Sequence, residues 1–239
     1  VLDQSGETAP VARQGSMARG ILEQLGATGL GELKFHGLVQ VPLCGVICWV
    51  ARTGYTGEPG YELYVPAVSA LALWNRLVEV GQAVGLKAAG LGARDLLRLD
   101  MGYLLYGNDI SEGTTPIEAG IGWAVDCDKG DFIGRDVIAR QKTQGPEKKL
   151  VGFELLEKGV PRHGFPIREA GAGASQAPIG EVASGNLSPL LQKGIGMGYV
   201  PARSSAVGTA LAIDIRGKLF PAQVVKPPFY KRPAKPSSV

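Results

Sequence analysis

The chain has 239 residues, 45% of them hydrophobic and 20% charged, with a formal net charge of +3. This length and composition suit one large globular domain or two ordinary ones, and no apolar run reaches membrane-spanning length. The lysines group at Lys148-Lys149 and between Lys226 and Lys235 instead of lining a helix face, which argues against nucleic acid as a partner.

In chain order, Ser16 to Leu25 carries apolar residues at Met17, Ile21, Leu22 and Leu25, predicting a short amphipathic helix with Ser16 as its N-cap. Strands are expected near Gly37 to Val41, Gly45 to Val50 and Tyr61 to Val65. Cys44 and Cys48 fall four apart in this apolar region and read as buried thiols on one strand face. Val68, Leu71, Trp74, Leu77 and Val78 then mark a helix packed along one face, and Leu91 to Leu99 a shorter one. Another helix is expected at Phe132 to Gln141, followed by a polar linker, Lys142 to Lys149, that contains both Gly and Pro. Beyond it the pattern changes to six short strands: Val151–Leu155, Phe165–Arg168, Ile179–Ala183, Ile195–Val200, Thr209–Ile215 and Leu219–Val225. Arg216-Gly-Lys218 reads as a hairpin turn and Ala170 to Pro178 as a flexible loop. Strands of this length between Gly, Pro and Ser turns predict a small antiparallel barrel or sandwich. The earlier part mixes strands and helices without a parallel βαβ repeat, so it reads as an α+β layer.

Three cysteines and two histidines, His36 and His163, furnish neither a disulfide framework nor a zinc pattern nor a Ser-His-Asp triad. The chemistry concentrates instead in Gly54-Tyr-Thr-Gly-Glu-Pro-Gly-Tyr-Glu62, a glycine-rich turn between two strand-like runs. Glycines at 54, 57 and 60 permit positive φ and close approach to a flat or anionic group. Alternation puts Glu62 with Tyr64 on one face and Tyr61, Leu63 and Val65 on the other. A carboxylate there is either a solvated strand residue or a bidentate acceptor for adjacent N–H donors such as a pterin edge. Arg94 and Arg98 share a helix face downstream, with Asp95 as a local partner. Glu58, at the turn apex, reads as solvated, His163 as structural, and Asn108 and Glu118 as rim residues.

Taken in order, this block resembles the aminomethyltransferase (T-protein) family of the glycine cleavage system. So do Gly90-Leu-Gly-Ala-Arg-Asp-Leu-Leu-Arg-Leu-Asp100, Leu105-Tyr-Gly-Asn-Asp-Ile110, Thr114 to Trp123, Asp131-Phe-Ile-Gly134, Lys158 to Gly164 and Ala183 to Pro189. The resemblance runs from about Leu22 to Tyr230. It implies a fold of α+β class: residues 1–143 as the C-terminal part of the folate-binding aminomethyltransferase domain, a small antiparallel β-barrel domain over 150–230, and a basic tail at 231–239. It also implies transfer of a methylene from an aminomethyl-lipoyl arm to tetrahydrofolate with release of ammonia, and the lipoyl carrier (H) protein as partner. Tyr55, Glu62 and Arg94 match the family's folate-binding positions, with Arg98 the runner-up to Arg94. The family's catalytic aspartate matches nothing here. By the family pattern, an N-terminal portion of well over a hundred residues that would hold it is absent, so no catalytic residue is expected in this chain. No metal, nucleic acid or membrane partner is expected, and the compartment implied is the bacterial cytoplasm, or the mitochondrial matrix in a eukaryote.

Two related readings share the architecture. One is the folate-binding domain of a sarcosine- or dimethylglycine-oxidising flavoenzyme, which would carry a flavin domain upstream. The other is a non-catalytic folate-binding accessory protein of iron–sulfur assembly, whose Lys-Gly-Cys-Tyr-x-Gly-Gln-Glu motif corresponds here to Lys129-Gly-Asp-Phe-Ile-Gly-Arg-Asp136. Asp131 in place of the cysteine argues against it. A last departure is Arg13, in Ala12-Arg-Gln-Gly-Ser16, where the family carries an apolar residue in a buried strand. An arginine there must pair or reach water.

Overall fold

The computed structural model of the chain describes residues 1–173 and 176–232. These form two compact units, Val1–Leu97 and a second that begins at Arg98.

The first unit is built on a four-stranded antiparallel sheet of order β1-β4-β3-β2: β1 (Thr8–Gln14), β2 (Leu38–Leu43), β3 (Val46–Ala51) and β4 (Gly60–Pro66). Tyr61, Leu63 and Val65 on β4 and Cys48 and Val50 on β3 are buried beneath helices α1 (Ala18–Gln24) and α2 (Ala70–Gln82). The alternation expected along β4 is therefore observed, with Glu62 and Tyr64 on the other face. Strand β1 was not legible as a strand from its own pattern. It holds Pro10, which has no N–H to donate, and it pairs only with β4, the edge position where proline is tolerated. None of its residues is fully buried. Arg13 shares the core-facing side with the half-buried Ala9 and Val11. Its Nη1 donates to the Gln14 carbonyl, while burial lowers its pKa from the usual value and leaves Nε unpartnered among the described residues.

Three local expectations are corrected here. Cys44 is not a buried strand thiol: with Gly45 it makes the two-residue β2–β3 turn, at φ 50° and 80°, and is exposed. Ser16 does not cap α1, which begins after Met17 with no side-chain cap. On α2 only Leu73, Leu77 and Gly81 are buried, an i, i+4, i+8 stripe. Val68, 93% exposed, lies before the helix in the 3-10 turn Ala67–Ser69, and Leu71, 72% exposed, belongs to a second apolar stripe of the helix that does not meet the sheet.

Helix α3 (Leu91–Asp100) crosses from the first unit's residues to the second's. Helix α4 spans Arg135–Gln144, displaced toward the C-terminus from the expected 132–141 because Gly134, at φ 86°, sets its start. Gly145, at φ 81°, ends it, and only residues 145–147 separate it from the next strand. The six expected strands are all present: β5 (Lys148–Leu155), β6 (Pro166–Glu169), β7 (Gly180–Ser188), β8 (Lys193–Pro201), β9 (Ala210–Ile215) and β10 (Lys218–Val225). They close into an antiparallel barrel of order β10-β5-β8-β7-β6-β9, filled by Phe153, Ile167, Val182, Leu211 and Ile213. Arg216 and Gly217 make the β9–β10 turn with positive φ at both positions. Part of the loop expected at 170–178 (residues 174–175) and most of the tail expected at 231–239 (233–239) lie outside the described residues.

Candidate functional site

The turn between β3 and β4 occupies residues 52–59 and is organised by a side chain from β1. Gln14 is paired with Gly60 in the β1–β4 register. Its Nε2 donates to the Thr53 carbonyl at 3.2 Å and, longer, to the Tyr61 carbonyl at 3.4 Å. Its Oε1 accepts from the Thr56 hydroxyl at 3.0 Å, and Thr56 Oγ1 in turn accepts from the Glu58 amide at 3.3 Å. The Gly15 amide donates to the Pro59 carbonyl at 2.8 Å, closing the turn from outside.

The three motif glycines serve two different ends. Gly57 alone has positive φ, 74°. Gly54 and Gly60 are needed for space: a Cβ on either would lie 2.6 Å and 2.5 Å, respectively, from the Gln14 amide carbon.

This turn presents Tyr55, and α3 brings Arg94 to it, with the guanidinium carbon 4.8 Å from the ring centroid. Tyr55 and Arg94 are therefore together. A cation over a tyrosine face fixes the ring and leaves the guanidinium edge N–H groups able to meet an acceptor. Beside Arg94 lies a cleft of about 420 Å³ lined by residues 10–14 of β1, Thr56, Trp74, Val78 and Leu97, within the size range of small-molecule sites.

Glu62 is placed by β4 alone. Its direct neighbours across the sheet are Ala12 and Ala51, so the carboxylate stands in a gap between small side chains. Tyr64 approaches it at 3.5 Å, and burial together with Glu62 raises the pKa of that phenol. One long contact does not exhaust a carboxylate's acceptor capacity. Because the register pairs Gln14 with Gly60 and Ala12 with Glu62, Gln14 and Glu62 share a sheet face as diagonal neighbours, a relation that corresponds to about 7–8 Å. Glu58, expected at a solvated apex, is half-buried.

Arg98, the alternative to Arg94, is taken up inside the second unit. It is 1% exposed; Nη1 donates to Asp109 Oδ2 at 2.5 Å and to the Tyr103 carbonyl at 3.1 Å, and Nη2 to Ser184 Oγ at 2.7 Å. Asp109 also accepts from the Leu105 amide at 2.9 Å. The Gly107-Asn-Asp109 stretch is thus held by a buried charge network. The other rim residues are engaged locally: Asn108 Nδ2 and His163 Nδ1 both reach the Ala183 carbonyl, at 3.5 Å and 2.7 Å. Glu118 accepts from the Thr115 amide at 2.9 Å and meets Gln141 at 3.5 Å. Gln14 is the residue of this turn that the sequence does not reveal. Its only signal was a long polar side chain one residue before a glycine, which is no signal without the register.

Among the described residues no cluster of His, Cys, Asp or Glu could hold a metal ion, and no helix is long and apolar enough to cross a membrane. The GCVT N-terminal domain family matches residues 1–129, and the glycine cleavage T-protein C-terminal barrel domain family matches residues 148–231. The chain is similar to the aminomethyltransferase of Halothermothrix orenii, with 46% identity over 229 residues, covering 96% of this chain and 63% of the relative. The Symbiobacterium thermophilum aminomethyltransferase is 48% identical over 238 residues, covering 98% and 62%. It is also similar to the crystal structure of glycine cleavage system aminomethyltransferase T from Bartonella henselae, with a TM-score of 0.83, 33% identity and coverage of 93% of this chain and 60% of that one. The chain thus spans about three fifths of the length of these relatives. With matches over both of its parts, this chain belongs to the glycine cleavage T-protein family.

Proposed function

We propose that the protein to which this chain contributes is a tetrahydrofolate-dependent aminomethyltransferase. It would take the methylene from an aminomethyl-lipoyl arm on the H carrier protein, and Tyr55, Glu62 and Arg94 would form part of its folate site. The observation that carries this reading is the stacking of Arg94 on Tyr55 at the glycine-rich turn, in a chain of this family. The donor set fits a folate. Glu62 offers a carboxylate to a pterin's N–H edge, Arg94 offers donors to an anionic or carbonyl group, and Tyr55 offers a ring wall.

In the proposed reaction the N5 amine of tetrahydrofolate is the nucleophile and ammonia the product. These residues bind and orient; none of them is proposed to move a proton. Domain bounds of 1–143 and 150–230 go with this reading, the first for folate and the second as the barrel.

Glu62→Gln tests it. The substitution replaces one acceptor by a donor facing donors and should weaken tetrahydrofolate binding by about 2–4 kcal/mol, roughly 30- to 1000-fold. Melting without ligand should hardly change, since the carboxylate lies on the open face of the sheet. A tetrahydrofolate dissociation constant equal to that of the unmodified protein, with Glu58→Gln measured beside it, would remove Glu62 from the site.

A further inference from the structure

We propose that Gln14 is a positioning residue for the ligand turn: its amide is the mould on which residues 53–61 set, and through them it fixes Tyr55 against Arg94. The geometry is specific. One side-chain amide uses both ends, donating to the carbonyls of Thr53 and Tyr61 and accepting from the Thr56 hydroxyl. Those three partners bracket Tyr55 on both sides of the turn. The space the amide fills is kept open by Gly54 and Gly60, where any Cβ would displace it. A turn of eight residues between two strands has many conformations of similar energy. Here a residue 39 to 47 positions earlier in the chain selects one.

The consequence for binding rests on the folate reading above. A ring and a guanidinium held in place before the ligand arrives cost less to order when it binds. Gln14 therefore acts on affinity without itself being required to touch the ligand.

Gln14→Met keeps the length and volume of the side chain and removes all three hydrogen bonds; Thr56→Val removes one of them from the other side. Two readouts separate the claims. Amide hydrogen exchange over residues 53–61 should speed up on the order of tenfold or more in Gln14→Met, while exchange in the α1 and α2 helices stays as in the unmodified protein. Tetrahydrofolate should bind roughly tenfold more weakly. Gly54→Ala, which expels the amide by volume, should reproduce both effects. Thr56→Val in the Gln14→Met background should add less than it does alone, because their shared bond is already gone and only the bond from the Glu58 amide to Thr56 remains to be lost.

Unchanged exchange over 53–61 in Gln14→Met overturns the proposal. So does a freed turn with an unchanged dissociation constant. Failure of the unmodified protein to bind tetrahydrofolate would instead overturn the folate reading, and the exchange readout would still decide whether Gln14 sets the turn.

Discussion

The two units solve the problem of a β-sheet in opposite ways. In the barrel, strand β10 pairs with both β5 and β9, so no strand edge is left and the interior is filled by side chains. The sheet of the first unit keeps two edges and buries one face only. Ile47, Trp49 and Tyr64 on its other face are 56%, 47% and 37% exposed. Polarity is handled differently as well. The second unit buries a full ion pair, Arg98 with Asp109, whereas the turn of the first is organised by a neutral amide among glycines. Closure serves stability, and an open face leaves backbone and side chains on which a ligand can be seated. Tyr55, Glu62 and Arg94, the residues proposed for folate, all fall in the open unit.

Substitutions in the two cores put this contrast to work. The largest loss is expected for Arg98→Met, which leaves Asp109 buried without its partner, at about 3–5 kcal/mol. Arg98→Met with Asp109→Leu should recover much of it, and denaturant unfolding of the single and double variants measures the coupling. Leu63→Ala, fully buried in the sheet's core, should cost about 2–5 kcal/mol by opening a cavity. If the two units unfold separately, Leu63→Ala lowers one transition and Arg98→Met the other. One common transition shifted by both would show a single cooperative fold instead.

A smaller, pH-dependent effect is expected at Asp100. Burial raises the pKa of this carboxyl above 3.8, partly offset by a hydrogen bond from Ser188, and Oδ1 has no partner among the described residues. The folded state therefore holds its proton to higher pH than the unfolded chain does. That contribution is fully present below the unfolded value and is lost as pH rises through the raised one. Asp100→Asn should accordingly stabilise the protein at pH 7, with a gain that fades as pH falls through the carboxylate range. Melting curves at pH 7 and at pH 4 give the comparison, and equal gains at both would contradict the assignment.

What could be read from the sequence follows the same division. The barrel's six strands were legible because each is a short apolar run closed by Gly, Pro or Ser, but their closure was not, since β10 pairs with β5, β5 with β8 and β6 with β9 across intervening strands. Glu62 and its facing were legible from alternation, since β4 has a clean buried and a clean open side. The packed face of α2 was misread because Leu71, Trp74 and Val78 make a second apolar stripe, and periodicity cannot say which stripe meets the core. Gln14 was invisible for a different reason. Its partners Thr53, Thr56 and Tyr61 lie across a strand pairing that brings β1 beside β4, and β1 has neither the composition nor the alternation of a strand.

The Arg98 network also bears on the making of the chain. Ser184, which receives one of the guanidinium's bonds, is synthesised 86 residues after Arg98. At roughly 5–20 residues per second the arginine emerges on the order of 4–17 seconds before that partner exists. During the interval it stays hydrated, and a charged side chain tolerates that wait. A large apolar residue at the same position would hold sticky surface open on the growing chain for as long, which favours association with neighbours. The charged group that the finished fold buries thus leaves no apolar surface open on the half-made one.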